Sequence, residues 1–403
     1  MPGCGSDDSL GSRPGNSLNS ENGFSAVPGG ASNGARGDGP ALDARVEAMA
    51  PMLSDPDPRV RKSAVVALGR MPCAAATERL CAALGDRVEG VRALACQALG
   101  RIADPASVPA LLGCVHDPSA GVRAGVLWAI ANVALHGSID AEARAALFCP
   151  VAVLAFDPDD GVRADAAAVI GSLRDPRATD ALLVLLEDPC ARVRANACSS
   201  LALLDDAKGL EALLGVLEAA GEKTGEEPGG QPGEEPLVLV SALDGVARRA
   251  ERGSLGPASP QAARALRVVC SLARAEAGGS AAGRERPAEP VTAGGEGDPT
   301  PVDVRATAVW ALGMLSPLAQ LDRAAVQGLL EGALRSDDAW TRRYAVEALA
   351  RVHDDIARVT LDAFAREVGA PAAAGESPAA GAGGGTESRE LAEVVRKALA
   401  TFA

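Results

Sequence analysis

One phrase recurs along the chain and limits what it can fold into. Asp-Pro, a short gap, Val-Arg and an Ala-rich apolar run read DPDPRVRKSAVVALG from Asp55 and DPSAGVRAGVLWAIANVA from Asp117. The phrase returns as DPDDGVRADAAAVIG from Asp157 and DPCARVRANACSSLA from Asp188, with a weaker copy, DRVEGVRALACQALG, from Asp86. Arg61, Arg92 and Arg123 fall 31 residues apart, Arg163 follows after 40, and Arg194 after a further 31. Such a length holds two short helices and two turns. One hairpin of that size cannot bury its apolar faces alone, so the units must stack.

Each unit opens with a first helix, as in ATERLCAALG from Ala76, ASVPALLGCV from Ala106 and RATDALLVLL from Arg177. Leucines recur there at helical spacing. The Asp-Pro turn ends that helix, and proline suits the first turn of the next, where a missing N–H costs nothing. Asp117, Asp157 and Asp188 are expected to accept exposed N–H groups at the start of that second helix. Val122, Val126, Ile130 and Val133 form its apolar stripe, and Val60, Ala64 and Leu68 do the same in the first clear unit. The second half is more degenerate. AKGLEALLGVLEAA pairs with PLVLVSALDGVARRA, SPQAARALRVVCSLARA with VDVRATAVWALGML, LDRAAVQGLLEGALR with DDAWTRRYAVEALARV, and DIARVTLDAFAREV with RELAEVVRKALATF. The expected architecture is an all-α, right-handed solenoid of about nine stacked helical hairpins, one domain over residues 41–403.

An arginine near a helix start opposes the local dipole. Its repetition implies a stronger partner elsewhere. A turn aspartate, in the same unit or the adjoining one, would give a ladder along one edge. The residues assigned to it are Asp55, Arg61, Arg92, Asp117, Arg123, Asp157, Arg163, Asp188 and Arg194.

About 47% of residues are apolar but only 2% aromatic, so Ala, Leu and Val must build the core through close helix contacts. The formal charge of −14 opposes a large nucleic-acid interface, although a local basic patch stays compatible with it. The nine cysteines include no CxxC pair, and most lie in apolar helical patterns. They read as buried thiols in a reducing, cytoplasmic compartment. No apolar run reaches the length of a membrane span, and the first forty residues lack the apolar core of a secretory signal.

Four stretches break the pattern: residues 1–40, 219–235, 279–300 and 369–386, all rich in Gly, Pro, Ser, Ala or Glu. They are expected to be disordered. Each of the three internal stretches separates the first helix of a unit from its second, where regular units carry Asp-Pro.

The Asp-Pro…Val-Arg…Ala-Leu-Gly phrase resembles the short HEAT-like repeats associated with phycobilisome lyases. The unit holding Trp128 and Asn132 also resembles an armadillo repeat, in which that Trp and Asn spacing grips an extended peptide backbone. Trp310 is followed by Met314 at the same spacing. The resemblance implies a stacked helical fold and a broad binding surface. It also brings an alternative function, a bilin lyase or bilin-handling chaperone acting on phycobiliproteins, with Arg342, Arg343 and Tyr344 beside Trp340 as the residues for such a pocket.

Short catalytic motifs are absent. His116, His136 and His353 are the only histidines, and none is followed by Glu. The HEAT-repeat enzyme that hydroxylates a modified lysine needs His-Glu pairs for its di-iron centre, so that activity is excluded. The acidic pairs Asp159–Asp160, Asp205–Asp206, Asp337–Asp338 and Asp354–Asp355 fall at turns, where they suit helix capping. There is no phosphate-cradling GxxxxGK[ST] loop and no GxSxG elbow. The expectation is a non-enzymatic protein-interaction scaffold with a protein partner, no cofactor, no metal site, and neither nucleic acid nor membrane as a target. Trp128, Asn132, Arg342, Arg343 and Tyr344 are its candidate contact residues.

Overall fold

The computed structural model describes residues 39–137, 139–222, 235–256, 259–274, 303–315, 323–369 and 386–402. Among these, all regular structure is helical. In chain order the α-helices are α1 (Gly39–Met49), α2 (Pro58–Leu68), α3 (Ala74–Ala83), α4 (Glu89–Ile102), α5 (Val108–Leu112) and α6 (Ala120–His136). Then come α7 (Ala141–Val153), α8 (Asp160–Leu173), α9 (Ala178–Leu185), α10 (Ala191–Leu203), α11 (Ala207–Glu222) and α12 (Glu235–Glu251). The last are α13 (Pro260–Arg274), α14 (Val304–Leu315), α15 (Arg323–Leu334), α16 (Ala339–Val352), α17 (Asp355–Glu367) and α18 (Thr386–Ala400).

The described residues gather into two compact units. Residues up to Ala143, with Asp157–Asp165, form the first; Arg144–Phe156 and residues from Ala166 onward form the second. In the first unit α2 packs on α4 and α4 on α6, while α1 packs on α3. In the second, α10, α12, α14, α16 and α18 pack in that order, with α9, α11, α13, α15 and α17 as a parallel row. Second helices therefore stack on second helices, and first on first.

Small residues make that stacking close. The place eight residues after the ladder arginine holds Gly69, Gly100 and Gly171, and Gly313 falls at the matching place of α14. A Cβ on Gly100 would lie 2.3 Å from Trp128 Cζ3 and 2.9 Å from Ala129 Cα, so α6 fits only against a bare backbone there. Gly313 meets Ala348 of α16 in the same way, its absent Cβ 2.6 Å from that residue's Cα. Ala64, Leu68, Leu99, Val126 and Ile130 fill the core of the first unit with no exposed area, and Leu201, Leu213, Leu243 and Leu349 do so in the second.

The turns correct one local expectation. Asp117 and Asp188 do not cap the second helix itself. Their carboxylates accept the N–H groups of Ser119 and Cys190, two residues on, at 2.9 and 2.8 Å. Ser119 and Cys190 are the N-cap residues of α6 and α10 and give no side-chain cap. The aspartate closes the turn before the helix begins, an Asx-turn geometry. Asp157 does the same toward Asp159 at 2.9 Å.

Three of the second helices stop at the same place. Ala103, Arg174 and His353 all have φ of 52°, a left-handed conformation. Each stands eleven residues after the arginine of its Val-Arg or Arg-Arg pair. Left-handed residues commonly close helices, and there satisfy the last carbonyls. α6 lacks that stop and runs on to His136, and the longer α7 that follows it adds most of the longer step between Arg123 and Arg163.

The limits of the expected breaks shift. α1 begins inside the expected tail of residues 1–40, and α11 runs to Glu222, past the expected break at 219. The remaining parts, residues 1–38, 223–234, 275–302 and 370–385, lie outside the described residues. The thiols also differ from expectation. Cys96, Cys198 and Cys270 are buried, but Cys73, Cys81, Cys114 and Cys190 are half-buried and Cys149 is exposed; Cys73 and Cys190 stand at N-caps, outside the helical apolar pattern.

Gly100→Ala tests the close approach. Alanine would favour an isolated helix, yet the clash should lower unfolding free energy by about 1–3 kcal/mol. Urea denaturation monitored by circular dichroism checks this; a stabilised variant would refute it.

Candidate functional site

The Val-Arg arginines sit in the first turn of each second helix, where one guanidinium can reach two turns. Arg61 donates from Nε and Nη2 to the Asp86 carboxylate at 2.7 and 2.9 Å, and from Nη1 to its own turn carbonyl, Asp55 O, at 2.8 Å. Arg92 repeats this toward Asp117 at 2.7 and 2.8 Å and toward Asp86 O at 2.9 Å. Arg123 does so toward Asp157, both bonds at 2.6 Å, and toward Asp117 O at 2.8 Å. Each arginine thus clasps its own turn and forks onto the carboxylate of the next unit, the bidentate geometry that suits guanidinium. Arg163 and Arg194 hold their own turns through Asp157 O and Asp188 O at 2.9 and 2.8 Å. The Asp55 carboxylate accepts the Asp57 N–H at 2.8 Å and receives no arginine of an earlier unit among the described residues.

Sequence reasoning left Asp86 out of this set, because arginine and not proline follows it. Its alignment 31 residues before Asp117 was the available signal. It also placed Arg342 among contact residues. In the structure Arg342 donates from Nη1 to Ser336 O and Asp337 O at 2.6 and 2.9 Å, the same clasp on its own turn. Its place in the first turn of α16 matches that of the ladder arginines.

The other candidates lie on the second helices α6 and α16. Trp128 is half-buried on α6, its ring against Gly100 of α4. Asn132 is half-buried one turn on and donates from Nδ2 to Trp128 O at 2.8 Å. On α16 the Arg343 guanidinium carbon stands 5.3 Å from the centre of the Trp340 ring, and the Tyr344 ring centre is 6.0 Å from that of Trp340. Arg343 also pairs with Glu347 at 3.2 Å. Burial, with Glu347 adding to it, pushes the Tyr344 phenol above its ordinary value, so it stays neutral. Trp128 and Asn132 belong to the first unit and the α16 cluster to the second.

The acidic pairs act as turn acceptors. Asp354 takes the Ala357 N–H at 2.7 Å, Asp206 the Lys208 N–H at 3.2 Å, and Asp159 the Val162 N–H at 3.1 Å. His116, His136 and His353 are exposed, with His353 stacked on Phe402 at 4.6 Å. Among the described residues no group of three or more His, Cys, Asp or Glu is placed to hold a metal ion. No described helix is long and apolar enough to cross a membrane. A second arginine fork was not foreseen: Arg177 grips Asp175 with two bonds of 2.8 Å, lies 4.5 Å over the Phe148 ring and reaches Cys149 Sγ at 3.3 Å.

This helical repeat matches a known class. The family model for HEAT repeats matches residues 46–141 and 151–224, and over these two stretches the chain is similar to HEAT repeats. Among solved structures, an engineered protein is 18% identical over 89% of this chain and 87% of its own, with a TM-score of 0.44. The Escherichia coli protein YibA is 17% identical over 79% of this chain and 98% of its own, with a TM-score of 0.47. Human deoxyhypusine hydroxylase, in complex with glycerol, is 16% identical over 77% and 97%, with a TM-score of 0.30. No curated protein matches the chain. None of these likenesses bears on activity.

Two measurements test the ladder. The Arg123 and Asp157 side chains are only 11% and 4% exposed, so Arg123→Ala strands a buried carboxylate. It should cost about 1–3 kcal/mol of unfolding free energy, and no change would show the rung to be idle. The second is acidity. Hydrogen bonding from Arg61, against the opposing effect of burial, holds the Asp86 carboxyl below its ordinary value. An unfolded chain then binds the proton more readily, so this rung's stabilisation is full above about pH 4 and is lost as pH falls through the lowered native value. Thermal unfolding should show a shallower fall below pH 4 in Asp86→Asn than in the unaltered protein.

Proposed function

We propose that the protein is a non-catalytic interaction scaffold that binds protein partners through the exposed sides of its second helices. The observation that carries this reading is the cluster on α16. The exposed Arg343 and the half-buried Tyr344 both lie against the half-buried Trp340 ring, and these are the residue types that dominate binding energy at protein interfaces. Their mutual packing fixes the rings before any partner arrives, which lowers the entropy lost on binding. Trp128 offers a second aromatic surface on α6. HEAT repeats suit this role because stacked hairpins give an extended face without a closed pocket. All eight described cysteines are free thiols, which fits a cytoplasmic setting.

The test is affinity capture of the tagged protein from its native lysate, beside a Trp340→Ala/Arg343→Ala variant of unchanged melting temperature. Mass spectrometry and an absorption spectrum are taken of each eluate. A stoichiometric protein that falls at least roughly tenfold in the variant supports the scaffold. A visible-absorbing tetrapyrrole recovered with phycobiliprotein subunits would instead establish the bilin reading. Equal recovery by both forms would remove α16 as the contact surface.

A further inference from the structure

Between α14 and α16 the helices keep the register of the ladder, but the ladder carboxylate is missing from the turn. Gly313 stands eight residues after Arg305, as Gly69 stands after Arg61 and Gly100 after Arg92. A Cβ on Gly313 would lie 2.6 Å from Ala348 Cα; on Gly69 it would lie 3.1 Å from Ala98 Cα, and on Gly100 2.9 Å from Ala129 Cα. Ala98, Ala129 and Ala348 each stand six residues after the arginine of their own helix, Arg92, Arg123 and Arg342. So α14 meets α16 as α2 meets α4 and α4 meets α6. That register sets Arg305 toward the turn before α16, as Arg61 and Arg92 are set toward the turns they grip.

In that turn a serine does the aspartate's work in part. Ser336 stands six residues before Arg342, the place that Asp86 holds before Arg92 and Asp117 before Arg123. Arg342 Nη1 donates to Ser336 O at 2.6 Å, as Arg92 Nη1 donates to Asp86 O at 2.9 Å. Ser336 Oγ accepts the Asp338 N–H two residues on at 3.3 Å, as the Asp86 carboxylate accepts the Val88 N–H at 2.8 Å. A hydroxyl closes the turn in this way, but it has one oxygen and no charge, so it cannot answer a guanidinium fork. Arg305 forms no ion pair among the described residues, and its Nε is buried without a hydrogen-bond partner. A buried donor left in that state lowers stability until an acceptor meets it.

We propose that Ser336 is a phosphorylation site and that its phosphoryl group is the acceptor for Arg305, completing a rung between α14 and α16. A protein kinase with a nucleoside triphosphate supplies the group. Ser336 Oγ attacks the terminal phosphorus, the bond to the diphosphate leaving group breaks, and the hydroxyl proton passes to the base of the kinase. The phosphoserine carries about two negative charges at neutral pH and several acceptor oxygens, the chemistry that pairs with a guanidinium. Ser336 is half-buried in a turn and its hydroxyl makes one long bond, so little is lost when the turn opens to a kinase. Asp337 and Asp338 follow it directly, yet acidic neighbours do not prevent a rung. Asp157 is followed by Asp159 and Asp160 and still holds Arg123 through two bonds of 2.6 Å. The Asp338 carboxylate is moreover engaged by the Thr341 N–H at the start of α16. The inference goes beyond the scaffold reading and does not depend on it.

Two experiments test the site and the rung separately. Phosphopeptide mapping of the full chain from its native cells, growing and starved, should place a phosphoryl group on Ser336. A chain unmodified there in both states would overturn the assignment. For the rung, phosphoserine is introduced at position 336 of the full chain during translation, and amide hydrogen exchange is followed in the first turn of α16. Exchange should slow by at least about fivefold. Ser336→Asp, which sets the ladder residue at that place, should slow it in the same direction. Neither change should act in an Arg305→Gln background. Exchange unaltered by phosphoserine would overturn the rung, and slowing that persists in Arg305→Gln would do so as well.

Discussion

A single guanidinium that touches two successive turns organises this fold. Arginine is planar, permanently charged and has donors on two edges. One edge answers the turn carbonyls of its own unit, which no helix can use, and the other answers the carboxylate of the next. The carboxylate has meanwhile closed its own turn through a backbone N–H. Turn shape and unit spacing are therefore fixed by the same few atoms. Apolar contacts among the Ala, Leu, Val and Ile side chains of the core have no direction of their own and by themselves tolerate sliding. The forked bonds, with their narrow angular range, do not.

The close packing of second helices has a similar economy. Gly100 removes the one atom that would hold α6 away, and the Trp128 ring occupies the room that results. That ring is thus both a packing element and a surface. Its lower edge is set by the neighbouring backbone, and its upper side stays half-open. A side chain with both duties has little freedom to adapt, which suits recognition of a fixed shape over broad tolerance.

Much of this was legible in the chain itself. The 31-residue step gave the hairpins, and the buried Val122, Val126, Ile130 and Val133 stripe followed from helical spacing. The ladder arginines were found because an unfavourable residue kept returning to one place. What stayed hidden depended on three dimensions. Periodicity left open whether an arginine meets the aspartate of its own turn or of the next; the answer, carbonyl of one and carboxylate of the other, needs the side-chain fork in space. Asp86 was hidden by a missing proline, and Arg342 by a turn reading Ser-Asp-Asp in place of Asp-Pro.

The bonds between units also have a direction. The forks of Arg61, Arg92 and Arg123 each run to the aspartate of the following unit, so the units they join meet as plug and socket. Copying a whole unit in the gene keeps every plug matched to a socket, wherever the copy lands within the run. Copying half a unit does not, since it leaves a charge without its counterpart beside the core. Growth and loss by complete steps is thereby the cheap route of change for such an array, and the near-constant 31-residue interval is the mark that this bonding pattern leaves on the sequence.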